Sequence, residues 1–466
     1  MRVFLLNPPT DEPVRTPLLA LGYLAAALQR AGHAVGLLDA SAVAAPQGHA
    51  AVAEHVAQFR PDLVGLHVKT LAAQDAWSMA RSLRERLGPE VPLVAGGPHV
   101  TVVPGEALAH GCDFAIRGEA EYTLVELADA LQAGMQPREI AGLGVADGQG
   151  GGHWGPERGF IQDLDALASP VAALPLFDPA WYGQTVPVAY GGVLASRGCP
   201  AACTFCCNNV TGRRFRQRSA AAIAAELAEL RDQWQLRAFS FLDDSFAVGR
   251  ARVAELSEHL APLGLHWTCT AHPAHLDSEV LGAMQRAGCG GIDIGTESGD
   301  PGRLRAIGKG VTVDRTLAVV RACRERGLHV VVNLMFGWPG ETERELDNTL
   351  QFMDKAAEAG AWFNARGVLV PFPGTEEYER HCQQFSFEQW WLRDPPLRYA
   401  AFPAAWNHAE VLRAYAADAA LERNFFRHSD AHLQRIQLAL ERKASLTLAH
   451  VAQPAPAITV PAAGSR

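Results

Sequence analysis

"GGVLASRGCPAACTFCCNN", residues 191–209, decides the fold. A short apolar run leads through Gly198 into Cys199, Cys203, Cys206 and Cys207, so four of the chain's nine cysteines fall in one short loop of a 466-residue sequence. Thiols this crowded serve disulfides, a structural zinc or an iron–sulfur cluster. The total of nine is odd, and the opening "MRVFLLNPP" does not read as a secretory leader. The expectation is therefore a reducing, cytoplasmic setting, where structural disulfides are disfavoured. A structural zinc takes four protein ligands in two separated pairs, and no second C-x₂-C pair exists. Cys199, Cys203 and Cys206, spaced C-x₃-C-x₂-C, suit three corners of a [4Fe–4S] cubane and leave one iron open to another ligand. Cys207 is set aside because adjacent residues seldom both face one metal.

Outward from this loop the chain alternates strands and helices on both sides. Downstream, "AFSFLDDSF", "HWTCTAH", "GIDIGTES", "HVVVNLMFGWPGET" and "NARGVLVPFPGT" follow the first strand, with helices expected near 219–233, 251–262, 277–287, 312–326 and 343–359. Six β/α units over residues 186–384 are too few for a closed eight-stranded barrel. They predict a partial (β/α)6 barrel with its chemistry at the strand C-termini. Upstream, residues 1–135 alternate short apolar strands with longer helices, the pattern of a doubly wound, Rossmann-like parallel sheet. Its strand-end loops "LHVKT", "AGGPHVT" and "RGEAEYT" should share one crevice. No G-x-G-x-x-G follows the first strand, so a dinucleotide site is unsupported. Residues 136–185, with "DGQGGGHWGPERG" and "PLFDPAWYG", read as a linker containing a hairpin tip and an irregular crossing. Residues 385–450 read as a small, mainly helical C-terminal region, and 451–466 as a disordered tail.

A hydrophobic content of 48% supports a substantial core, while a net charge of −9 disfavours nucleic acid, whose phosphates demand a basic surface. The basic strip "GRRFRQR" (212–218) is either a contact for an anionic substrate or a solvated face. No uncharged apolar run is long enough to span a membrane. Cys269, Cys289 and Cys323 lie among apolar neighbours and read as core residues. Cys382 has no reading. Trp390, Trp391 and Tyr399 either wall a pocket or pack a lid.

The C-x₃-C-x₂-C loop, with Phe205 before its third cysteine, resembles the radical S-adenosylmethionine (SAM) superfamily. The likeness continues through "FLDDSF", "GIDIGTESGD", "NLMFGWPGET" and "VPFPGT". The first domain resembles the cobalamin (B12)-binding domain attached to one large class of that superfamily, through "LNPP", "LGYLAAALQRAGH", "PDLVG", "VAGGPHVT" and "RGEAEYTLVEL". Together these stretches reach from residue 1 to about 380.

The resemblance implies a [4Fe–4S] cluster held by Cys199, Cys203 and Cys206. SAM chelates the open iron, and an electron from the cluster cleaves one of its sulfur–carbon bonds. By position, Phe205 packs beside the adenine, and either Asp243 or Asp244 holds the SAM amino group while the other is structural. Glu297 and Ser298 lie near the ribose or methionyl moiety, and Asn333 meets SAM or a neighbouring residue. For cobalamin, the strand-end loops supply His67, Lys69, Thr70, Gly96, Gly97, Pro98, His99, Gly118, Glu119 and Glu121. The chain departs from the best-known cobalamin pattern in lacking D-x-H-x-x-G, so the cofactor is expected base-off. Nothing, or a substitute side chain such as His67 or Lys69, then lies below cobalt.

The function so implied is cobalamin-dependent methylation of an unactivated carbon or phosphorus centre in a small metabolite or natural product. One SAM supplies the methyl group and another the radical, with electrons from a flavodoxin or ferredoxin. The alternatives are a non-methylating radical reaction on the same fold (rearrangement, ring formation or aminocarboxypropyl transfer) and a non-catalytic metal-binding protein. No nucleic-acid or membrane partner is expected.

Overall fold

A computed structural model describes residues 1–10, 14, 16–42, 44–183, 190–399 and 408–451. The expected disordered tail, 451–466, lies outside the described residues apart from Val451. The chain forms two compact units, one drawn from residues 1–244 and 371–401, the other from 245–370 and 402–466.

The first unit is built on β1 (Arg2–Asn7), β2 (Ala34–Asp39), β3 (Leu63–His67), β4 (Leu93–Gly96) and β5 (Phe114–Ile116), in the order β2-β1-β3-β4-β5 and all parallel. Helices cover such a sheet on both faces, which is why its strands are continuous apolar runs: in β1 all residues from Val3 to Asn7 are buried. The sheet then continues past residue 135. β6 (Leu143–Ala146) adds antiparallel to β5 and β7 (Gly152–Trp154) antiparallel to β6, so the glycine-rich hairpin joins the sheet edge and 136–185 is not merely a crossing. Two short 3₁₀ turns, Pro170–Leu176 and Pro179–Tyr182, complete that segment.

The same unit holds the start of the second β/α series. β8 (Gly192–Val193) pairs in parallel with β11 (Ala238–Phe241). The apolar run expected as one strand breaks after Val193, because Ala195 N–H donates to Asp243 Oδ1 at 2.8 Å instead of to a ladder. β9 (Ser196–Arg197) then pairs antiparallel with β10 (Arg216–Gln217), and the cysteine loop lies between them.

In the second unit β12 (His266–Ala271), β13 (Cys289–Glu297), β14 (His329–Leu334) and β15 (Trp362–Phe363) run parallel in sequence order, so the six expected strands are present, two in one unit and four in the other. Their helices, Arg250–Leu260, Ser278–Arg286, Val313–Glu325 and Glu343–Glu358, fall within two residues of the expected ranges. Side chains alternate across β12: Trp267, Cys269 and Ala271 are buried while His266, Thr268 and Thr270 stay open. The sixth strand departs from expectation. It is Trp362–Phe363, and "NARGVLVPFPGT" after it holds a single bridge, Phe336 to Val368. The reason is a competing acceptor: the Gly367 and Val368 N–H groups both donate to Asp418 Oδ2 at 2.8 Å.

The C-terminal region is helical as expected, over His408–Ala416, Ala419–Arg423 and Asp430–Val451. The last of these carries Lys443, which is buried. Its Nζ donates to Arg366 O at 2.9 Å and lies 5.8 Å from the centre of the Phe336 ring. Burial pulls the ammonium pKa down from 10.5 to about 7. Above that pH the folded chain holds Lys443 neutral while the unfolded chain keeps the proton up to about 10.5. The unfolded state then binds more protons, and stability should rise as pH climbs through the window, by at most about 1.4 kcal/mol per pH unit. Denaturant unfolding at pH 7 and pH 9.5 should show this gain in the wild type. Lys443→Met should lack it.

Candidate active site and cofactor crevice

The carboxyl ends of β1 to β5 open into a cavity of about 710 Å³. Asn7, Asp39, His67 and Gly96 line it as the last residues of their strands, with Lys69, Gly97, Pro98 and Gly118 from the following loops. Ser196, Arg197, Thr211, Leu242 and Asp244, from the segments flanking the cysteine loop, form another part of its wall. Every lining residue belongs to the first unit.

A buried polar chain underlies the crevice floor. Asn7 Nδ2 donates to Asp39 Oδ1 at 2.8 Å and to Ser41 Oγ at 3.0 Å, and Asn7 Oδ1 lies 3.2 Å from His67 Nδ1. Burial, with a smaller contribution from the Lys69 charge, lowers the His67 pKa from 6.5 to about 3, so the imidazole is neutral. Burial likewise lowers Lys69 against the opposing pull of Asp39, and raises Asp39. Gly97 has φ +104°, and a Cβ there would lie 2.9 Å from Val68 O and 3.0 Å from His67 Cδ2. The sequence expectation gave this glycine to the cobalamin site. The structure gives it a nearer reason, to let the β4 turn close over the end of β3.

Two residues expected in the crevice face elsewhere. His99 is fully buried, its Nδ1 3.2 Å from Thr70 Oγ1 and its Nε2 3.1 Å from Glu106 Oε1. Glu106 also accepts from Trp77 Nε1 at 2.7 Å and from Trp391 Nε1 at 2.9 Å. A buried carboxylate needs that many donors, and His99 and Thr70 are drawn into its service and away from the cavity. This packs Trp391 as a core residue of the first unit, and Trp390 likewise, its Nε1 donating to Pro371 O at 2.8 Å.

Glu119 and Glu121 do line the crevice, but their carboxylates are engaged. Arg197 Nη1 donates to Glu119 Oε1 at 2.8 Å and Arg197 Nη2 to Glu121 Oε1 at 2.6 Å. Arg216 Nη1 reaches Glu119 Oε2 at 2.7 Å and Ile161 O at 2.6 Å, and Ile161 N–H returns a bond to Glu119 Oε2 at 2.7 Å. Sequence reading placed Arg216 only in a basic strip and missed Arg197 altogether. Two arginines bracketing a cysteine loop, with a G-E-x-E turn elsewhere, were the signal available.

The cysteine loop is closed at its base. Cys199 N–H donates to Gly212 O at 3.2 Å, and Gly198, at φ +88°, leaves no room for a side chain, since a Cβ would stand 2.4 Å from Arg214 O. Within the loop Cys206 N–H donates to Cys203 O at 3.2 Å. A cavity of about 350 Å³ lies against Cys203 and Cys206, with Asn208 and Arg213 on its rim. Phe205 is half-buried in the same loop. None of the nine cysteines is in a disulfide. Three thiols on one closed loop suit a cluster whose irons draw the thiolates together. Among the described residues no three thiol, imidazole or carboxylate groups already converge. Burial raises the Cys207 thiol pKa, which works against its thiolate.

The adjacent aspartates have different surroundings. Asp243 is buried, accepting from Ala195 N–H and from the Ser196 hydroxyl. Asp244 is exposed and lines the large cavity; among the described residues only its Oδ2 is engaged, by Gly198 N–H at 3.1 Å and Thr211 Oγ1 at 2.8 Å.

In the second unit Glu297 ends β13 at a bulge, with φ +72°, and its carboxylate accepts from Lys309 Nζ at 3.0 Å. Positive φ at a non-glycine residue is strain of the kind that functional sites store. Lys309, missed in the sequence, is its buried counter-ion. Ser298 is turned into the protein, its Oγ 3.2 Å from Thr349 Oγ1 and accepting from Asp300 N–H at 3.1 Å. Asn333 pairs in register with Gly295 and is half-exposed on the sheet face that carries Thr270 and Asp293. Asp293, also missed, is exposed on that face. Cys269, Cys289, Cys323 and Cys382 are buried.

Two family models match the chain: "Radical SAM superfamily" over residues 193–353 and "B12 binding domain" over residues 13–128. An uncharacterized methyltransferase of Pyrococcus horikoshii is 32% identical over 391 residues, 81% of this chain and 83% of that protein. The chain belongs to the radical SAM superfamily. It is a radical SAM enzyme with a B12-binding domain, and those two domains call for a [4Fe–4S] cluster, SAM and cobalamin. The cytidylyl-2-hydroxyethylphosphonate methyltransferase of Streptomyces wedmorensis is 26% identical over 428 residues, 79% of the enzyme and 80% of the relative. The fold matches that of the radical SAM methyltransferase TsrM from Kitasatospora setae, solved with cobalamin and a [4Fe–4S] cluster bound. The TM-score is 0.69 at 20% identity, over 95% of the enzyme and 99% of TsrM.

The buried Glu119 cluster makes a direct prediction. Glu119→Ala strands Arg216 and half of Arg197 without their carboxylate and should cost about 3–5 kcal/mol in denaturant unfolding, the usual penalty of breaking a buried ion pair. Glu54→Ala, which removes the exposed pair with Arg86, should leave the unfolding midpoint nearly unchanged.

Proposed function

We propose that the enzyme methylates an unactivated carbon or phosphorus centre of a small molecule, with SAM as the methyl source. One observation carries this reading: the B12-binding strand ends and the residues flanking the cysteine loop line the same cavity of about 710 Å³. When bound, cobalamin supplies a methyl carrier and the cluster supplies the electron that cleaves SAM. The chain's own part is to position these groups beside one another and to keep bulk water away.

In this reading Cys199, Cys203 and Cys206 ligate the cluster. Asp244, with one oxygen uncommitted and facing the cavity, takes the SAM amino group, while Asp243 holds the backbone of the first strand. Phe205 lies by the adenine. Glu297, backed by Lys309, keeps the ribose or methionyl contact that the family resemblance gives it, and Asn333 keeps its SAM contact. Ser298 supports this turn through Thr349. A flavodoxin or ferredoxin delivers the electrons in the cytoplasm. No helix among the described residues is long and apolar enough to cross a membrane.

Reconstituted enzyme supplied with reductant, cobalamin and SAM should release S-adenosylhomocysteine in a cobalamin-dependent manner, alongside 5′-deoxyadenosine. If 5′-deoxyadenosine or methylthioadenosine forms without S-adenosylhomocysteine, the radical chemistry does not transfer methyl groups, and rearrangement, ring formation or aminocarboxypropyl transfer takes its place. Iron content tests the ligands separately. The single alanine variants of Cys199, Cys203 and Cys206 should each lose the cluster, and Cys207→Ala should retain about four irons per chain. Calorimetry tests the aspartates: Asp244→Asn should weaken SAM binding by about 1–3 kcal/mol with the cluster intact.

A further inference from the structure

The hydrogen bonds under the crevice fix the tautomer of His67. Asn7 Nδ2 is committed to Asp39 Oδ1 at 2.8 Å and to Ser41 Oγ at 3.0 Å, which orients the amide. The Ser41 hydroxyl donates in turn to Pro8 O at 2.9 Å and so accepts from Asn7. With its NH₂ so placed, Asn7 presents a carbonyl oxygen to His67 Nδ1 at 3.2 Å, and a carbonyl only accepts. The proton of His67 is therefore on Nδ1 and the lone pair on Nε2. Nε2 has no hydrogen-bond partner among the described residues and is not one of the sealed-off buried atoms, while His67 itself lines the cavity. The ring is also held along its edge, where Gly97 leaves only enough room for Cδ2. An imidazole with a bonded Nδ1–H, a fixed plane and an open Nε2 is the arrangement in which proteins present histidine to metals.

We propose that His67 Nε2 is the protein ligand to cobalt on the lower face of the bound corrin, with Asn7 and Asp39 as its positioning residues. The inference rests on the cobalamin reading above. It fills the gap left by the absent D-x-H-x-x-G with a histidine from the end of β3, and it selects His67 over an open face and over Lys69. Lys69 also lines the cavity, but among the described residues no hydrogen bond orients its amine.

The test uses the full chain, loaded with hydroxocobalamin, desalted and reduced to the cobalt(II) state for electron paramagnetic resonance. The expected spectrum shows each cobalt line split into a triplet by one ¹⁴N nucleus. Protein grown on ¹⁵N-histidine with unlabelled cofactor should turn the triplets into doublets, which separates a protein nitrogen from the cofactor's own base. His67→Ala or His67→Gln should retain corrin and lose the nitrogen splitting. Asn7→Ala, which frees the ring, should weaken or broaden the splitting with corrin still bound. If the wild type retains no corrin, the cobalamin reading itself falls. If corrin is retained without nitrogen splitting, with splitting insensitive to ¹⁵N-histidine, or with splitting that survives both His67 variants, this inference alone is overturned. The isotope experiment needs no variant, so misfolding of a substituted chain leaves the proposal falsifiable.

Discussion

Glu119 is the residue on which the first unit turns. Two guanidiniums, Arg197 before the cysteine loop and Arg216 after it, meet on one carboxylate in the loop that follows β5, and Glu121 takes the remaining arm of Arg197. All four residues are 5–8% exposed. Charges so far from water are tolerable only when each is matched and hydrogen-bonded, so the turn after β5 and the base of the cysteine loop are held to one relative position. The large cavity lies over this cluster, bounded by strand ends on one side and by Ser196, Arg197, Thr211 and Asp244 on another. Juxtaposing the two cofactor-binding regions is thus a consequence of charge burial rather than of apolar packing alone.

The same accounting separates committed from available side chains among near-identical neighbours. Asp243 and Asp244 differ only in what they touch. One carboxylate is used up by a broken strand and a serine, and the other keeps an oxygen for the cavity. His67 ends β3 and His99 follows β4, yet His99 is consumed by Glu106 and Thr70 while His67 retains a nitrogen. In each pair the buried polar groups nearby had to be satisfied first, and whichever side chain was left over faces the cavity.

The second unit uses sheet alternation for the same purpose. Along β12 and β13 one face is closed by helices, and the other carries Thr270, Asp293 and Gly295, with Asn333 beside them on β14. Glu297 stands at the bulge where that face ends, its left-handed backbone held in place by the Lys309 ion pair and by the bond from Met335 N–H to its carbonyl.

Much of this was legible from residue order. Period and length distinguished strands from helices, because burial on both faces or on one leaves its mark in every window. The C-x₃-C-x₂-C spacing named its chemistry because three thiols on one short loop leave few alternatives. The partners were not legible. The convergence of Arg197 and Arg216 on Glu119 joins residues about eighty to a hundred positions apart. Asp418 captures the N–H groups of Gly367 and Val368 and so ends a strand that apolar pattern alone would continue. Sequence by itself determined the two β/α series, the cysteine loop and the strand-end crevice, since these follow from local periodicity and short-range spacing. Tertiary structure alone decided which carboxylate and which imidazole remain available, because a buried polar group is committed by whatever folding brings within about 3 Å of it, and no local pattern encodes that distance.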